Sequence, residues 1–434
     1  MASGHRLVRE TSRDANGEIY VGRSFKTSLL LALGAGAAIV ASVPAQALTF
    51  NLISSIDRTT TAGQNAQRGF EIAAGYWSSV FTDNITMNLN IGFSALGTGI
   101  LGSTGSTRSL ISMQQYYTAS ALDAKGSVDA AALANLRPLS AATTNFASGP
   151  SGGVAAIANG FNNGVDASNG YTDLTTRIDN DGSTNNRSLA ITKASAKALG
   201  LTTDINGAAI NYDSSDASIT FSTAFDFDFD PSNGINSTSY DFIGVAIHEI
   251  GHALGFVSGV DSVDARTAPG STSLSSLEGF VVMSQLDLYR YSSAGNLDWS
   301  TQNTPYFSLD GGVSQLFGDS RFSTGVANGD GRQASHWKDS AAGVPQLGIL
   351  DPTSGRGQMQ EITALDLAAF DTIGWDVNVN AFANPGYRFT TAQVYANATA
   401  VPEVGTWAMM ILGFGLAGTA MRRRRQTVRV AFAA

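Results

Sequence analysis

The sequence predicts an α+β protein, and three observations carry that expectation. A helical apolar periodicity near residue 65 runs into an alternating, strand-like segment; a second alternating run begins at Asp216; and a uniformly apolar helix follows it directly. Helices and strands succeed one another without the regular βαβ alternation of a parallel doubly wound sheet.

Residues 65–81 (NAQRGFEIAAGYWSSVF) place apolar side chains at helical spacing, and residues 84–93 (NITMNLNIGF) alternate as a strand does. Residues 97–107 are rich in Gly, Ser and Thr, and 140–170 in Gly and Asn, which predicts surface loops in both places. From Asp216 the run DASITFSTAFDFDFDP predicts a strand, with Phe225, Phe227 and Phe229 on one face and Asp226, Asp228 and Asp230 on the other. Three carboxylates on one side could hold Ca2+, whose ligands are oxygens. No calcium-loop spacing accompanies them, so a solvated strand face entering a turn at residues 231–234 is the simpler reading.

Next comes STSYDFIGVAIHEIGHALGF, in which Ser239 can cap a helix whose apolar residues cover most of its circumference. Such a helix is buried. Thr363, with Asp366 three residues on, predicts a capped helix in ALDLAAFDTIG, closed by Gly374. No internal repeat of solenoid period is present.

Both ends read as addresses. Arg23 and Lys26 precede the apolar run SLLLALGAGAAIVASV, and Ala45-Gln46-Ala47 offers the small-x-small pattern of a signal-peptide cleavage site, which predicts export with a signal peptide over residues 1–47. At the other end an apolar stretch from Trp407 to Met421 is followed by Arg422 to Arg425, short for a comfortable bilayer span of about 20 residues.

Outside residues 1–47 and 402–434 the chain keeps 16 Lys and Arg against 31 Asp and Glu, a net charge near −15. That excludes a nucleic-acid partner, because such a surface repels phosphate. There is no cysteine, so disulfides, thiolate metal sites and a cysteine nucleophile are excluded as well.

The chemistry concentrates in HEIGHALGF. On a helix, His248 and His252 stand one turn apart on one face, as a single metal ion requires. Glu249 lies about 100° around the helix, where a carboxylate can take a proton from water activated by the metal. A catalytic zinc takes three protein ligands. In the short pattern of the metzincins, which HEIGHALGF resembles, the third ligand would fall at Ser258, which is no ligand; Asp261 and Glu278 are candidates downstream. Of the four histidines, His5 lies in the leader, which leaves His336 in GDGRQASHWKD as the favoured third ligand.

HEIGHALGF, a long insertion, then SHW resembles the leishmanolysin-like branch of the metzincins. FSTGVANGDGRQASHWKD, GILDPTSG and ITALDLAAFDTIGWDV, in that order, resemble bacterial secreted metalloproteases over roughly residues 216–378. VPEVGTWAMMILGFGLAGTAMRRRR resembles the PEP-CTERM sorting signal, with Val404 where the family has a second proline. The resemblance implies zinc on His248, His252 and His336, Glu249 as general base, Gly255 at the turn after the helix, and Leu350 where the family's turn carries Met, with Met359 outside that turn. It also implies a metzincin-like zincin fold: a mixed sheet with the active-site helix in an upper subdomain (48–256), then an insertion and lower subdomain (257–378). A stalk (379–400), a sorting segment (401–425) that enters the membrane transiently and is cut by an exosortase-type enzyme, and a tail (426–434) would follow.

The expected activity is hydrolysis of protein or peptide substrates outside a Gram-negative cell. The alternative is a non-catalytic matrix or adhesion protein with a structural zinc.

Overall fold

The computed structural model describes residues 48–139, 152–159, 165–166, 170–171, 174–271, 279–341 and 343–400, with isolated residues 411 and 414. The residues expected as signal peptide (1–47) and as tail (426–434), nearly all of those expected as sorting segment (401–425), Glu278 and most of the loop expected at 140–170 lie outside the described residues. Among the described residues, no helix is long and apolar enough to cross a membrane.

The fold is α+β around one mixed four-stranded sheet. β1 (Thr49–Ser54) pairs in parallel with β2 (Thr86–Ser94), β2 pairs in parallel with the strand Ala217–Ser222, and that strand pairs antiparallel with β3 (Gly102–Ser106). β3 is therefore an edge. Between β1 and β2 runs α1 (Thr61–Val80), whose Thr60 side chain caps Gly63 N–H at 3.1 Å. Phe70, Ala73, Trp77 and Val80 recur every three or four residues and are buried. The expected helix and strand are both present, the helix starting four residues earlier than its apolar pattern.

Some expectations need correction. The strand from Asp216 stops at Ser222, and only Phe227–Asp228 resumes pairing, with Tyr240–Asp241. Phe227 and Phe229 turn onto Phe242 instead of continuing the sheet, with ring centroids at 5.6 and 4.6 Å. The segment read as a loop at 97–107 contains β3, whose short side chains hide the alternation from a hydrophobic count.

The long apolar helix is Phe242–Leu254, and every residue in it except His248 is buried. Its N-cap is Asp241 rather than Ser239: the Asp241 carboxylate accepts Gly244 N–H at 2.9 Å, and also Gln360 N–H and the Thr391 hydroxyl. Its last carbonyls are also satisfied. Leu254 O accepts the Trp375 indole at 2.8 Å and the Ser195 hydroxyl at 3.2 Å, and Ile247 O accepts the Trp77 indole at 3.2 Å. Each fully buried Ile, Leu or Phe contributes about 1.5–3 kcal/mol, so this helix is the centre of the core.

Beneath it lies the helix Ala364–Thr372, capped reciprocally by Thr363 and Asp366 as expected. Residues 379–400, expected as a stalk, pack onto the domain. The strand Arg388–Thr390 pairs with Glu361–Thr363, and the helix Thr391–Ala400 buries Val394.

Candidate metal centre

Three imidazoles meet at one point. His248 and His252 come from successive turns of the buried helix, and His336 comes from a loop 84 residues beyond His252. Their Nε2 atoms form a triangle with edges of 3.1 Å (248–252), 3.1 Å (252–336) and 3.2 Å (248–336). These are the only His, Asp or Glu side chains among the described residues whose ligand atoms converge closely enough for three to hold one metal ion. Asp226, Asp228 and Asp230 form no such group; Asp228 accepts Asp230 N–H and Asn236 N–H, and Asp230 caps Ser232.

The other nitrogen of each ring faces a backbone carbonyl. His248 Nδ1 is 2.7 Å from Ile349 O, His252 Nδ1 is 2.7 Å from Phe256 O, and His336 Nδ1 is 3.2 Å from Gln333 O. A carbonyl only accepts, so each Nδ1 carries the proton and each Nε2 presents a bare lone pair. Burial, and then the neighbouring rings, press His248 down to about 3 and His336 well below its ordinary value, while burial lowers His252 to about 4. All three are neutral at pH 7. Three lone pairs about 3 Å apart, with no proton between them, repel one another unless a cation sits among them.

Glu249 is buried and does not belong to the converging group. The Thr104 hydroxyl lies 2.6 Å from its Oε2 and 2.9 Å from its backbone oxygen. Burial pushes this carboxyl up to about 7, and the bond from Thr104 opposes that rise. Gly102, on the same edge strand, lies so close that a Cβ there would stand 2.6 Å from Glu249 Oε1. Ser106 completes the strand's inward row by donating to His252 O at 3.2 Å. Gly102, Thr104 and Ser106 were not anticipated, although their period of two was present in the sequence.

The remaining residues fall into supporting positions. Gly255, at φ 121°, ends the helix where a Cβ would strike Ser195 Oγ, so only glycine serves. Ser258 is buried and donates to Asp287 at 2.6 Å. Leu350 is fully buried against the underside of the helix, 3.3 Å from where a Gly251 Cβ would be, so an apolar side chain fills the position of the expected methionine. Asp366 joins this turn to Trp337, the residue after His336. Its carboxylate accepts Ile349 N–H at 2.9 Å and the Trp337 indole at 2.8 Å. Asp261 stands outside the converging group; it accepts Ala334 N–H at 2.5 Å and Ser335 N–H at 3.2 Å.

No family model, no curated protein and no solved structure matches this chain.

Proposed function

We propose that the chain is an exported zinc-dependent endopeptidase with a metzincin-like fold. The observation that carries this reading is the triangle of bare Nε2 atoms with a buried carboxylate on the adjacent residue. Zinc–nitrogen bonds of about 2.0–2.1 Å in a tetrahedron require nitrogens about 3.3 Å apart. The edges of 3.1–3.2 Å fit that value. Three neutral imidazoles without thiolate or further carboxylate are the donor set of a catalytic zinc site with one open position.

Bound there, Zn2+ supplies Lewis acidity that lowers the pKa of water towards about 7 and polarises a carbonyl. His248, His252 and His336 would hold it, their orientation fixed by Ile349, Phe256 and Gln333 carbonyls. Glu249 would accept the proton of the attacking water and return it to the leaving amine; burial keeps its affinity for that proton in the useful range. Thr104 would hold the carboxylate from the edge strand.

β3 also favours a peptide as substrate. Its only strand partner among the described residues is Ala217–Ser222, so its other edge can accept an extended chain as an added strand beside Glu249. Sorting through the PEP-CTERM-like segment, processing by an exosortase-type enzyme and a location outside a Gram-negative cell belong to the same proposal.

A matrix or adhesion protein with a structural zinc is the competing reading. The buried Glu249 carboxylate disfavours it, since a structural site gains nothing from that desolvated group. Purified wild type and Glu249→Ala decide the matter by zinc content and casein cleavage. Equal zinc with cleavage reduced at least about 100-fold is the outcome expected of a lost general base. Wild-type protein that holds zinc but shows no chelator-sensitive cleavage would leave only the structural reading.

A further inference from the structure

The third histidine depends on a loop, and the loop depends on one carboxylate. His336 comes from no helix or strand; it follows a turn that has no regular ladder to hold it. The backbone bonds of residues 333–337 nevertheless go to specific places. Ala334 N–H and Ser335 N–H both donate to Asp261, at 2.5 and 3.2 Å. The Arg290 guanidinium, itself buried, points Nη1 at Ala334 O at 3.4 Å and donates to Ser323 O at 3.0 Å. Ser323 N–H donates to His336 O at 3.0 Å, and Trp337 N–H to Leu350 O at 2.9 Å.

Asp261 differs from the other anchors in where it comes from. It lies in the first turn of the helix Val260–Thr267, nine residues after His252 and three after Ser258. The segment leaving the metal-binding helix thus reaches across to grip the two residues that precede the third ligand. Both carboxylate oxygens are used: Oδ1 takes Ala334 and Oδ2 takes Ser335. No neutral side chain of that size accepts two amide protons in this way, because one of its two terminal atoms would be a donor.

We propose that Asp261 is the positioning residue for His336, setting the distance of its Nε2 from those of His248 and His252 and hence the affinity of the site for its metal. This rests on the reading of His336 as a metal ligand. Asp261 stands outside the converging histidines; it acts through the peptide units of Ala334 and Ser335 and the Ser335 hydroxyl.

The test uses the full exported chain as wild type, Asp261→Asn and Asp261→Ala, with zinc affinity measured by competition against a chromophoric chelator. Loss of a partner one shell away from a ligand weakens metal binding about 10–100-fold, and that loss is expected for both variants, smaller for Asn. Cobalt substituted at the site reports ligand geometry, and its visible spectrum should change in Asp261→Asn, which loss of stability alone would not produce. Zinc affinity and a cobalt spectrum identical to wild type would overturn the proposal.

Hydrogen exchange of the Ala334 and Ser335 amides in metal-free wild type gives a second answer that needs no variant to fold. Slow exchange at both is expected, since Asp261 and not the metal holds them; free exchange there refutes the proposal. A wild type that binds no zinc would sink the metal reading, while the amide exchange would still decide the role of Asp261.

Discussion

If Glu249 is the proposed base, replacing Gly102 by alanine should move its carboxylate relative to the histidine triangle. A Cβ at this position would stand 2.6 Å from Glu249 Oε1, 2.9 Å from its Cγ and 3.0 Å from its Cδ, whereas ordinary contact begins near 3.4 Å. Gly102 sits in paired strand opposite Phe221, at a backbone conformation open to any residue, so the strand itself tolerates the change. The carboxylate must yield instead, because it is the far end of a flexible side chain. Clearing the contact moves Oε1 by about 0.8 Å, and a misplacement of about 1 Å in a reacting group costs about 100-fold in rate. The expected loss in kcat for casein or a peptide reporter is therefore about 10–100-fold, up to about 2.7 kcal/mol of barrier. Zinc content should stay at the wild-type level, since none of the three histidines is touched. A Gly102→Ala protein with wild-type kcat would refute the placement of Glu249 as base, and one that lost its zinc would show that β3 shapes the metal site itself.

Removing the metal with a chelator should lower the melting temperature by about 4 °C, because an ion present at about 100 times its Kd contributes about 2.7 kcal/mol. His336→Ala should abolish most of that zinc-dependent shift in calorimetry; an undiminished shift would mean that the ion sits elsewhere. Asp371 offers a pH-dependent test away from the site. Burial, then the neighbouring Asp129 and Asp376 charges, push its carboxyl up to about 8 against the lowering by Val377 N–H. The proton is held more tightly in the folded chain, so this group's contribution to stability is complete below its ordinary value of about 4 and is lost as the pH rises through 8. Asp371→Asn should therefore stabilise by at least about 1 kcal/mol near pH 8 and by almost nothing near pH 4. Melting curves of the two proteins that run parallel across that range would remove the carboxyl as the cause.

Much of the site was legible because its signal is local or scarce. The spacing of His248, Glu249 and His252 follows from helix geometry, and the remaining candidate among four histidines pointed to His336. α1, β2 and the helix after Thr363 carry their own periodicity and caps. β3 escaped because a hydrophobic alternation was sought, while its inward row is Gly102, Thr104 and Ser106, selected to touch Glu249 and His252 rather than to fill volume. The N-cap moved from Ser239 to Asp241 because Gln360 and Thr391, more than 100 residues away, also need that carboxylate. The strand after Asp216 ended early for a similar reason: Phe227 and Phe229 find Phe242, a contact that period-two counting cannot foresee. Asp261 was a plausible ligand by charge and proximity in sequence, and only the fold reveals that its partners are the amides of Ala334 and Ser335 and the Ser335 hydroxyl.

The same long-range logic explains why a serine at 258 does not spoil the site. Ser258 Oγ, Gly259 N–H and Ser284 N–H all converge on Asp287, so the chain leaving Gly255 is pinned into the insertion rather than left free to return a ligand. Once that segment is pinned, the third imidazole has to arrive from the far end of the insertion, and its approach must be fixed from both sides. Asp261 fixes it from the pinned segment, and Asp366 fixes it from below through the Trp337 indole. Asp366 simultaneously takes Ile349 N–H, whose own carbonyl faces His248 Nδ1, so one buried carboxylate supports two of the three imidazoles. Substituting it would disturb all three edges of the triangle, which places the geometry of the centre in the helix beneath it as much as in HEIGHALGF.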